Sequence, residues 1–107
     1  MTKDSFFELV LSFPAVIQTA HFERTGFKVD GKRMFATYLD ANNTVNVFLS
    51  VEEQAAFCEL DPDNIFPVPN KWGEKGATTF KLNTVSQEII AESLYTAYQS
   101  TLSPMKK

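Results

Sequence analysis

Phe27-Lys28-Val29-Asp30-Gly31-Lys32-Arg33-Met34-Phe35-Ala36-Thr37-Tyr38-Leu39-Asp40-Ala41-Asn42-Asn43-Thr44-Val45-Asn46-Val47-Phe48-Leu49 is the stretch that decides the fold. Asp30-Gly31 suits a two-residue hairpin turn, which demands positive φ and favours a residue without Cβ. It predicts a strand through 27–29 that turns back into one from Lys32 to Asp40. Ala41-Asn42-Asn43 makes a second tight connection into a strand over 44–49. There Val45, Val47 and Leu49 alternate with Asn46 and Phe48, so one face is buried and the other mostly wet. Two tight turns joining three strands imply antiparallel pairing.

Outward from this stretch the chain alternates breakers and periodic runs. Upstream, Val16 to Thr19 reads as a short strand. Before it, a helix from Asp4 to Ser12 carries Phe6, Phe7, Val10 and Leu11 on or near one face. Asp4 or Thr2 caps that helix, and Pro14 ends it by pushing its predecessor out of the helical region. Downstream, Ser50-Val51-Glu52-Glu53 is a capping box, in which the serine hydroxyl and the glutamate carboxylate each satisfy an end amide. It opens a second helix with Val51, Ala55 and Cys58 turned inward, stopped by Pro62. The prolines of Ile65-Phe66-Pro67-Val68-Pro69 remove ladder donors, which makes this an edge or crossing segment. Ala77 to Leu82 is a last strand, with Thr78, Phe80 and Leu82 on one face. Thr84 to Gln87 forms a second capping box ahead of a helix to about Thr101, with Val85, Ile89, Ser93, Leu94 and Ala97 as its inner stripe. The tail, Ser103 to Lys107, is expected to fray. Segregated strands with antiparallel hairpins make this an α+β chain of two layers, an antiparallel sheet with helices packed on one face and the other face partly open.

A length of 107 residues fits a single domain spanning 1–107. One cysteine, Cys58, excludes an internal disulfide and any cysteine-based metal cluster within the chain. Asp4 stands where a signal peptide wants a basic start and an apolar run, and no stretch approaches the ~20 apolar residues needed to span a bilayer. A cytoplasmic protein without a membrane partner is the expectation. The net charge of −3 does not advertise a nucleic-acid binder, yet the charges are uneven. Glu52, Glu53, Glu59, Asp61 and Asp63 make the middle acidic, whereas Lys28, Lys32 and Arg33 form one basic group and Lys71, Lys75 and Lys81 another.

Phe13-Pro14 followed by His21, then Phe27 through Ala36, a polar-capped helix from Ser50, a proline-bearing stretch, and Lys71-Trp72-Gly73 before a strand and a long last helix together resemble the MmcQ/YjbR-like proteins. The resemblance runs from about Asp4 to Leu102. It departs at one place: the family often has Gly after the proline, where this chain has Ala15. The resemblance implies a two-layer α+β fold with an antiparallel sheet, similar to secretion-chaperone-like or frataxin-like architectures. It also implies a DNA-binding label that rests on structural analogy, which does not establish function.

No constellation for catalysis, a cofactor or a metal stands out. His21, the only histidine, lacks a nucleophile or orienting partner in its surroundings. Cys58 lies near a helix C-terminus among acidic residues, which disfavours thiolate, and reads as core. The acidic cluster matches no calcium loop, since Asp61-x-Asp63 lacks the glycine and terminal glutamate; Glu52 and Glu53 suit a helix N-terminus instead. Gly73-Glu74-Lys75-Gly76 has the shape of a KH-type phosphate-clamping loop but precedes a strand, and reads as a plain turn.

Two binding readings remain, and neither is enzymatic. The first is a nucleic-acid-binding or regulatory module, in which Lys28, Lys32 and Arg33 on a hairpin meet phosphates and Trp72, beside Lys71 and Lys75, stacks on a base. Against it, lysines and arginines are routine in hairpins, and the general burial of aromatics favours Trp72 as core or edge packing. The second is a protein- or small-ligand-binding domain that uses the open sheet face around His21, Met34, Tyr38 and Phe48, as a monomer or a homodimer.

Overall fold

Turn residues and caps divide the chain into ten elements, and the computed structural model describes residues 1–102 of it. The tail expected to fray lies outside the described residues. Helix α1 (Lys3–Leu11) is opened by Thr2, whose hydroxyl accepts from the Ser5 amide. Strands β1 (Val16–His21), β2 (Arg24–Val29), β3 (Met34–Leu39) and β4 (Thr44–Phe48) follow as a meander. Helix α2 (Val51–Leu60), edge strand β5 (Ile65–Pro67), the short helix α3 (Lys71–Glu74), strand β6 (Ala77–Lys81) and helix α4 (Gln87–Leu102) complete it. The six strands form one antiparallel sheet in the order β1-β2-β3-β4-β6-β5.

The hairpins hold, with one change. Lys28 pairs with Met34 while Phe27 pairs with Ala36, so Phe35 is an extra residue and the β2–β3 loop spans 30–33 rather than two residues. Gly31 alone takes positive φ (82°), closing a turn in which the Lys32 amide donates to Val29 O at 2.8 Å. The Asp30 amide is instead spent on Ala15 O at 2.9 Å, tying the loop to the start of β1.

All three long helices pack on the same side of the sheet. Phe6 of α1 meets Phe27 edge-on at 5.6 Å, Phe57 of α2 meets Phe80 at 6.0 Å, and Tyr98 of α4 meets Phe35 at 5.9 Å. Between them Val10, Val45, Val47, Leu82, Ile90 and Leu94 are fully buried. The inner faces of two helices differ from expectation. On α2, Val51 and Ala55 are exposed and Cys58 is half-buried against the core, whereas Gln54 and Phe57 face inward. Gln54 is there because its amide donates to Gly73 O (2.9 Å) and Ala77 O (3.0 Å), filling the second acceptor position of carbonyls that already accept from the Gly76 and Val68 amides. On α4, Ile90, Ser93, Leu94, Ala97, Tyr98 and Thr101 are buried while Ile89 is half-buried. Ser86 caps α4 by accepting from the Ile89 amide; the Thr84 hydroxyl points back to Lys81 O instead.

Among the described residues no helix is long and apolar enough to cross a membrane.

Candidate functional site

Strand register assigns every sheet residue to one of two faces. Thr25, Tyr38, Val45, Phe80 and Ile65 stand in one row across the sheet, under the helices. Thr19, Gly26, Thr37, Asn46, Thr79 and Phe66 form another row on the opposite face. From Thr19 to Thr79 the second row is a floor of small and polar side chains, an unusual composition for central strands, closed by Phe66 at the β5 edge, and no long helix covers it.

This assignment splits the four residues expected on the open face. His21, Met34 and Phe48 are on it and line one hollow. Tyr38 is not: it is 3% exposed on the helix side, with its ring stacked on Phe6 and its hydroxyl donating to Asn43 Oδ1 at 2.6 Å. Burial first, and the nearby Asp40 charge second, push its pKa up. The strand is apolar on both sides in sequence, so only pairing register could place it.

Trp72 corrects a second expectation. It is 67% exposed and belongs neither to the core nor to a covered edge. The reason is local: α3 lies close over the end of β5, where any Cβ on Gly73 would run into Val68 O, so that turn of helix presents its glycine inward. Asn70 fixes the entry by accepting from the Trp72 amide at 2.9 Å. Trp72 therefore stands at the rim of the open face.

Two hollows of about 480 and about 500 Å³ occupy this face and share Arg24, Asn46 and Val68 as their common wall. The second also holds His21, Phe22, Met34, Phe48 and Trp72. A third, about 380 Å³, continues it past Met34, Phe48 and Trp72 to Arg33 and Lys75. One member of each basic group thus comes together beside Trp72. Lys28, Lys32 and Lys71 do not line these three hollows, and Arg33 is tethered to α4, its Nη2 donating to Ser100 Oγ at 3.1 Å.

Arg24 and Phe22 were not among the residues singled out from sequence. They sit at the β1–β2 turn, where His21 pairs with Arg24 and Phe22 takes φ 59° while 90% exposed. A bulky residue held at positive φ is an outlier, and no glycine or asparagine advertises this turn. Arg24 Nε donates to Thr37 Oγ1 at 2.8 Å, and burial lowers the arginine's pKa against the opposing pull of Glu23. Asn46 Oδ1 accepts from Thr79 Oγ1 at 2.7 Å, which leaves the side-chain amide nitrogen directed elsewhere.

Cys58 belongs to the helix layer and His21 to the open face, so the two do not form a thiol–imidazole pair. Burial raises the Cys58 pKa, which keeps it a thiol. Asp61 of the acidic cluster is engaged locally, accepting from Asn64 Nδ2 at 3.0 and 3.1 Å.

Three long helices on one side of a six-stranded antiparallel sheet, with a polar floor left open on the other, define an open-faced two-layer α+β domain. A model of the YjbR family matches residues 11–100, and the chain belongs to that family. The crystal structure of Deinococcus radiodurans protein DR2400, with a DUF419 domain, is similar: TM-score 0.76 at 25% identity, covering 91% of this chain and 75% of that one. No curated protein matches the chain in sequence.

Proposed function

We propose that this YjbR-family chain is a non-catalytic binding domain whose ligand, a small organic molecule with a flat apolar part, sits on the open sheet face. The observation that carries the reading is the hollow of about 500 Å³ shared by Trp72, Phe22, Phe48 and Met34 with Arg24, Asn46, Thr37 and His21. Ligand sites are concave, mostly apolar, and oriented by a few polar groups, within a size range that includes this one. The strain at Phe22 supports it, because a left-handed aromatic at a tip serves packing poorly and a ligand well.

Trp72 is the only tryptophan, so its fluorescence reports on the face directly. A panel of flat organic probes, neutral and charged, is expected to quench it and to shift the backbone amides of Gly26, Thr37 and Asn46. Amides of α1 and α4 should stay put. If no probe moves the open-face amides at millimolar concentration, the reading is wrong.

A second reading, single-stranded nucleic acid, draws on Arg33 and Lys75 flanking Trp72. It expects binding of a short oligothymidylate that weakens steeply with salt. Loss of that binding in Arg33→Glu/Lys75→Glu would favour it, and no binding at low salt would sink it.

A further inference from the structure

Arg24 Nη2 is, among the described residues, the one buried side-chain nitrogen or oxygen without a hydrogen-bond partner. Such groups are exceptions that need a reason, because a donor withdrawn from water and left unpaired destabilises the fold. The guanidinium is not loose: Nε is held by the buried Thr37 hydroxyl, which fixes its plane and leaves the Nη1–Nη2 edge for something else. Arg24 stands in the wall between the two larger hollows, with Asn46 bordering both.

The charge around it is selective. The chain has 13 Asp and Glu residues, yet none lines any of the three hollows of this face. Their charged lining is Arg24, Lys81, Arg33 and Lys75. Glu23, the nearest acid in sequence, is exposed at the turn and is not among the lining residues. Glu23 still pulls on the Arg24 charge from the turn, but hollows lined by four cations and no carboxylate have a local field suited to an anion.

We propose that Arg24, with the Asn46 amide beside it, is a preset anchor for one carboxylate or phosphate group of the ligand. The anchor rests on the binding reading above and names the chemistry of that site. A fixed guanidinium edge matches two oxygens of either group in parallel hydrogen bonds, and the flat part of the same ligand then lies toward Phe48 and Trp72.

The test uses phenylacetate, phenyl phosphate and neutral phenylacetamide as probes, titrated into the isotope-labelled full chain and followed through backbone amide shifts. At least one anion is expected to bind about tenfold tighter than phenylacetamide, and which one does separates carboxylate from phosphate. Arg24→Gln should reduce that anion to the affinity of the amide, and Arg24→Lys should restore part of the difference. Asn46→Asp provides a second route, since a carboxylate beside the anchor should repel the anion and spare phenylacetamide. Equal affinity for charged and neutral probes, or an anion preference that survives Arg24→Gln, would overturn the anchor and leave the binding face standing. No amide shift with any of the three probes would overturn both.

Discussion

Ala15 holds φ at 67°, a conformation that L-residues with a Cβ adopt at a cost, in the turn between Pro14 and β1. The family pattern often has glycine after that proline, and the backbone shows why glycine suits the position. Ala15→Gly is therefore expected to stabilise the fold by about 1 kcal/mol, read as a higher urea midpoint at unchanged slope. Tyr38 gives a pH dependence of definite sign. Its folded pKa is raised above the ordinary value of 10.0, so the unfolded chain loses its phenol proton first. Its contribution is fully present below about pH 10 and is lost as pH rises through the folded pKa. Tyr38→Phe should flatten that alkaline loss in unfolding curves measured across the range; an unchanged decline would put its cause elsewhere. Neither effect was legible in the sequence. Ala15 carries no mark of its φ, and Tyr38 sits in a strand whose alternate residues are all apolar or small.

Local chemistry decided most elements, and the exceptions have a common cause. The Ser50–Glu53 capping box is formed at both ends, Ser50 Oγ accepting from the Glu53 amide and Glu53 Oε1 from the Ser50 amide. The alternation of β4 and the edge position of the proline-bearing β5 were likewise readable, because periodicity and missing donors act within a few residues. The inner face of α2 was not, because Gln54 faces inward for the sake of carbonyls 19 and 23 residues away. No hydrophobic pattern encodes such a partner. Gln54→Ala is expected to cost about 2 kcal/mol by removing two buried hydrogen bonds worth about 1 kcal/mol each, while Gly73 O and Ala77 O keep their backbone partners. Because those carbonyls bracket the turn after α3, the same change should speed hydrogen exchange in residues 70–76 more than in α4. Uniform acceleration would mean that Gln54 stabilises the whole sheet rather than holding the Trp72 loop.

The molecule as a whole divides its work between two sides of one sheet. The helix side holds Phe6, Phe27, Phe80 and the other large buried apolar side chains, while the opposite side carries the Thr–Gly–Thr–Asn–Thr floor under Trp72 and Phe22. Two-layer α+β architecture followed from the turns, but which face stays open depended on register across six strands, information no single strand contains. Trp72 was misplaced for the related reason that average burial of aromatics says nothing about one held out by a glycine on its own turn. The division makes stability and binding separable. Phe6→Ala, on the helix side, is expected to cost about 3–5 kcal/mol, since it empties a site touching Phe7, Phe27 and Tyr38. Trp72→Ala, on the open side, should change stability by no more than about 0.5 kcal/mol. Phe22→Gly should raise stability by relieving the left-handed turn, and both open-side changes should weaken capture of the flat probes. Light scattering on the same variants then distinguishes a ligand seat from a self-association surface. If Trp72 and Phe22 bury themselves against a second copy, their removal must shift the mass toward the monomer, whereas a face kept for ligand leaves the mass unchanged and lowers affinity alone.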